Sequence, residues 1–72
     1  MGMNVNSIDA ALIFKTASAG GYTYYGEAYP GSADAGATWR ISRKTDADST
    51  ILYANGGKFT ATWDNRASET YS

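Results

Sequence analysis

The side chains able to do chemistry are few in this 72-residue sequence, and neither histidine nor cysteine is among them. Nucleophilic catalysis by Ser or Thr leans on an adjacent base, which here leaves only Lys, Asp or Glu for the part. No Gly-x-Ser-x-Gly turn occurs to hold a serine exposed above a sheet. The closest carboxylates, Asp46 and Asp48, sit within Asp46-Ala47-Asp48-Ser49, where short polar side chains bond their own backbone and make a turn. Two turn aspartates fall short of the roughly six oxygen ligands that calcium takes, and zinc normally takes Cys or His. Gly20-Gly21 and Gly56-Gly57 lack the Lys-Ser/Thr of a phosphate loop and read as turn glycines. The expectation is therefore no catalytic residue, no metal ligand, no cofactor site, and no enzyme.

Aromatic and guanidinium groups are what remain. The run Tyr22-Thr23-Tyr24-Tyr25-Gly26-Glu27-Ala28-Tyr29 is dense in rings that stack on bases or sugars, or that pack at protein interfaces. Strand faces alternate, so only two or three of these tyrosines can share an outer face. Among six basic residues only Arg40, Arg43 and Lys44 cluster, and the net charge is −1. Nucleic-acid binders normally carry a basic stripe, so a nucleic-acid partner is not expected. The residues singled out for an interface are Tyr22, Tyr24, Tyr25, Tyr29, Arg40, Arg43 and Tyr71.

These groups have to be positioned by a small chain. Its length allows one domain, residues 1–72, which buries about 60% of its unfolded surface and has no disulfide to help. Such domains usually lean on oligomerisation or on docking into something larger. The longest apolar run, Ala10-Ala11-Leu12-Ile13-Phe14, is far shorter than the roughly 20 residues that span a bilayer. Met1-Gly2-Met3-Asn4 lacks the basic and apolar regions of a signal peptide, and Asn6 spoils a myristoylation match at Gly2. No membrane role and no secretion are expected.

Ala, Gly, Ser and Thr make up nearly half the chain, and the aromatics must supply much of the core. Tyr, Trp and Thr suit pleated, half-buried surfaces, which predicts an all-β fold. Residues 11–17 read as a strand, although Ser7 could also cap a helix carrying Ile8, Leu12 and Lys15. Residues 18–21 make a hairpin turn into a second strand at 22–29, where Gly26 marks a bulge or a close approach by a neighbour. After Pro30-Gly31 and a small-residue loop, residues 37–45 and 50–54 form a hairpin in which Ile51 and Tyr53 pair with Trp39 and Ile41. A fifth strand at 58–63 alternates Phe59, Ala61 and Trp63 inward, with a terminal turn of helix as the competing reading. The predicted core is Phe14, Trp39, Ile41, Ile51, Phe59 and Trp63. The architecture these strands predict is a small antiparallel five-stranded barrel or sandwich with extended termini: an N-terminal arm at 1–10 and a C-terminal arm at 64–72.

Two blocks of the sequence stand out together. One is Tyr25-Gly26-Glu27-Ala28-Tyr29-Pro30-Gly31 followed by Ala37-Thr38-Trp39-Arg40-Ile41. The other is Tyr53-Ala54-Asn55-Gly56, then Phe59, then Trp63-Asp64-Asn65-Arg66-Ala67-Ser68, ending at Tyr71-Ser72. Together they cover most of the chain after Tyr22, and they resemble a group of small virion-associated proteins of tailed bacteriophages. The pattern more often has Trp at the place of Tyr53 and Asp at the place of Asn55, and it carries no defined catalytic or binding residues. The resemblance implies a bacteriophage virion structural protein, a capsid decoration (cement) protein or a small neck or tail component. It would be made in the host cytoplasm and located in the virion. Its partners would be copies of itself and other virion proteins, and its mechanism subunit adhesion. The alternative from the residues alone is a small OB- or SH3-like module that contacts nucleic acid or glycan through the aromatic strand.

Overall fold

The computed structural model describes residues 11–72. They form one four-stranded antiparallel sheet with strands in chain order. These are β1 (Ile13–Ala19), β2 (Tyr22–Ala28), β3 (Arg40–Thr45) and β4 (Ile51–Tyr53). Two short 3-10 turns follow, at Asn55–Gly57 and Trp63–Asn65, and the described residues contain no α-helix. The β1–β2 turn is made by Gly20 and Gly21, at φ 61° and 86°. Positive φ at both central residues matches the right-handed twist of the flanking strands, and glycine takes it without steric cost.

One face of the sheet is buried beneath the chain's own C-terminal segment. Tyr24, Ala28 and Ile41 rise from the strands, and Trp39, Ala54, Ala61 and Trp63 complete the core. The two indoles pack with ring centroids 5.7 Å apart. Backbone bonds of 2.9 Å in both directions between Trp39 and Ala61 clasp the segment to the sheet. The Trp39 indole N–H, otherwise stranded in the core, donates to the Ala33 carbonyl at 2.9 Å. Further along, Ser72 exchanges hydrogen bonds with Tyr53 at 3.1 and 3.2 Å, which covers the outer edge of β4. Gly26 makes this cover possible: a Cβ there would lie 2.6 Å from the Trp63 ring and 3.1 Å from that of Trp39. The glycine marks the close approach of a neighbour.

Several expectations are corrected. The sheet is open, with four strands, and is not a five-stranded barrel. The expected fifth strand shrinks to the single bridge between Trp39 and Ala61. Beyond Ala61 the backbone turns into the Trp63–Asn65 3-10 segment, which brings the Trp63 ring against Gly26. Residues 64–72 are no free arm, since Tyr71 and Ser72 return to β4. Phe14 and Ile51, expected in the core, are 62% and 52% exposed, and Phe59 is only half-buried. The register explains both exposed residues. Lys44 pairs with Ile51 and Arg43 with Leu52, so Leu52 takes the covered side, and a one-residue slip reverses every side chain. In β1, Lys15 stands opposite Gly26 on the covered side, which sends Phe14 to the other face. Trp39, Ile41 and Trp63 are buried. The N-terminal arm and the helix cap at Ser7 lie outside the described residues.

Candidate functional site: the open face of the sheet

The second face of the sheet has no cover among the described residues. Cross-strand pairing arranges it in three rows. The first is Phe14, Glu27 and Arg40; the second is Thr16, Tyr25, Ser42 and Tyr53; the third is Ser18, Thr23, Lys44 and Ile51. In the second row the small Ser42 lies between two tyrosines, which leaves a hollow of about 220 Å³ lined by Phe14, Tyr25, Glu27, Arg40, Ser42 and Tyr53. Phe14 and Tyr25 meet at 6.5 Å between centroids on one side of it. On the other side the Arg40 guanidinium lies 5.1 Å from the Tyr53 ring centre.

Charge on this face is balanced. Arg40 Nη1 is 3.3 Å from Glu27 Oε1, with both side chains about a third exposed (38% and 32%). Cross-strand neighbours of opposite sign stabilise a sheet modestly, and water still screens this pair. The Arg40 Nε is buried without a hydrogen-bond partner, while the guanidinium face is occupied by the Tyr53 ring. In the third row, Lys44 Nζ approaches Asp46 at 3.8 Å, and Thr23 donates its hydroxyl to the same carboxylate at 2.7 Å. The turn beyond is set by Asp48, which accepts the Thr50 N–H at 3.0 Å; that bond holds its carboxyl below the usual carboxylate range.

The seven residues singled out from sequence do not form one site. Tyr25 and Arg40 are on the open face. Tyr29 is 54% exposed just past the end of β2, against Phe59 at 5.4 Å between centroids. The other four belong to the covered side. Tyr24 is 4% exposed and therefore beyond the reach of any partner. Arg43 is held between the rings of Tyr22 and Tyr71, at 4.3 and 4.5 Å, so its guanidinium serves packing. The Tyr71 hydroxyl donates to the Arg66 carbonyl at 2.7 Å. Burial, with Tyr24 and Glu69 nearby, pushes the Tyr71 pKa up to about 12.

Phe14, Glu27, Ser42, Ile51 and Tyr53 are the residues of the face that sequence reasoning missed or placed inside. Strict alternation on β3, read outward from the buried Trp39 and Ile41, does put Arg40 and Ser42 on the opposite side. Carrying that parity across to β4 needs the register, which the turn at 46–50 fixes through a Thr45–Thr50 bond of 2.8 Å.

The described residues contain no group of three or more His, Cys, Asp or Glu placed to hold a metal ion. None of their helices is long and apolar enough to cross a membrane. The face therefore carries exposed rings and an isoleucine together with an ion-paired centre. Comparison of the chain with protein-family models, with curated proteins and with solved structures finds no match in any of the three.

Proposed function

We propose that this chain is a bacteriophage virion structural protein, a capsid decoration or small neck or tail component, that works by adhesion through the open face of its sheet. The observation that carries the adhesive part is the contrast between the two faces. One is closed by the chain's own C-terminal segment, while the other leaves Phe14, Ile51 and Tyr53 exposed at 62%, 52% and 37%. Phe14 on one edge strand and Ile51 and Tyr53 on the other put large exposed apolar side chains on a single face, the kind of surface that partners cover. The virion setting is supported by the resemblance of the two sequence blocks. A 72-residue chain without a disulfide also gains stability by mass action from neighbours that bind its folded form.

The alternative of a small module that grips nucleic acid or glycan through Tyr22–Tyr29 has less support. Only Tyr25 of that strand's tyrosines is on the open face, because Tyr22 and Tyr24 pack toward the core. The hollow of about 220 Å³ is also below the roughly 300–1,000 Å³ of small-molecule sites.

Quantitative mass spectrometry of purified particles tests the proposal. The chain is expected at many copies per particle, retained through washing. Its absence from particles of the phage that encodes it would overturn the virion assignment.

A further inference from the structure

We infer that the open face seats a second copy of the same chain, face to face about a two-fold axis. This rests on the adhesive reading above and names its partner. A two-fold interface uses one patch twice, so that patch must itself carry both halves of every contact. The open face does so in charge and in shape.

Glu27 and Arg40 lie side by side in one row, 3.3 Å apart. Turned through 180°, that row presents Arg40 of one copy to Glu27 of the other, twice. Each carboxylate then lies between two guanidiniums, and such charge-assisted contacts strengthen as water leaves. The rest of the face adds no opposing charge, because Lys44 already has Asp46 at 3.8 Å. A ligand or partner carrying net charge would meet one favourable and one unfavourable member of the Glu27–Arg40 pair. A second copy meets both favourably.

Shape is self-complementary in the same way. Phe14 is 62% exposed beside the hollow over Ser42, a knob and a hole on one surface. The hollow measures about 220 Å³, and a cavity of about 150 Å³ already holds a benzene ring. One aromatic side chain fits it. Two sheets packed in this manner lie about 10 Å apart with interdigitating side chains. The outcome is a sandwich built from two chains, each supplying one sheet.

Sedimentation equilibrium of the full chain, from micromolar to millimolar, tests this with E27R and R40E studied alone and mixed. Wild type is expected to form dimers. Either variant alone sets like charges against each other and should weaken association about tenfold or more. The equimolar mixture restores both opposite-charge contacts in the heterodimer and should associate nearly as well as wild type. Near-ultraviolet circular dichroism checks that each variant is folded; if one is not, E27Q and R40Q replace the pair, each expected to weaken the dimer more mildly. A wild type that stays monomeric, a dimer indifferent to both variants, or a mixture that fails to recover overturns the inference. A monomer found at many copies in particles would sink the two-fold dimer and leave the adhesive reading standing. A dimer absent from particles would leave the two-fold contact standing and sink the virion assignment.

Discussion

Gly26 is the residue on which the covered side depends. Its missing side chain is the space into which the Trp63 ring settles, with two ring atoms 2.6 Å from where a Cβ would stand. An indole packed on a second indole cannot retreat as the tip of a lysine would, so Gly26→Ala makes the Trp63 ring and its backbone shift outward while the flap stays docked. The expected cost is about 1–3 kcal/mol, in the range of overpacked cores. It should appear as a lower urea midpoint with an unchanged slope. A glycine inside an aromatic strand was legible as a close approach. The identity of the approaching residue was not, because Trp63 reaches Gly26 only through the fold. The tyrosines carry a similar lesson. Four in one strand look like a platform, yet Tyr22 and Tyr24 share the parity of Gly26 and go inward with it.

Elements followed the same division between local and non-local information. Turn chemistry at Gly20-Gly21 and at 46–50, with β-favouring residues between, was enough to predict an all-β chain and its two hairpins, while the pairing of β2 with β3 that joins them into one sheet was not predicted. The C-terminal segment was misjudged because its alternation is real but its partner is not a strand. It lies as a flap held at Ala61 by Trp39 and at Tyr71 by Ala54. Tyr71→Phe removes the bond to the Arg66 carbonyl and should cost about 1 kcal/mol near neutral pH. The same phenol supplies a signature in alkali. Its pKa is raised from the ordinary 10.0 to about 12 in the folded chain, so there it keeps a proton that the unfolded chain has released. The unfolded state binds fewer protons in that interval, and the Tyr71 contribution is lost as pH climbs from about 10 to about 12, being complete below. Urea titrations across that interval should show the gap between wild type and Tyr71→Phe shrinking as pH rises. A gap that stays constant would mean the phenol is not desolvated.

At the scale of the whole molecule, one face of the sheet is covered, and the other has no cover among the described residues. The absence of cysteine and histidine, the short length and the near-zero net charge predicted a chain that relies on neighbours, and the open face is where the proposal has it meet them. Among the described residues no second sheet makes the expected sandwich, and the segment expected to give the fifth strand lies in the flap. Hydroxyl-radical footprinting tests the central claim most directly, comparing dilute chain with chain in assembled particles. The prediction is strong protection of Phe14, Tyr25 and Tyr53 on assembly. Equal reactivity of these three rings in both states would contradict the open face as the adhesive surface.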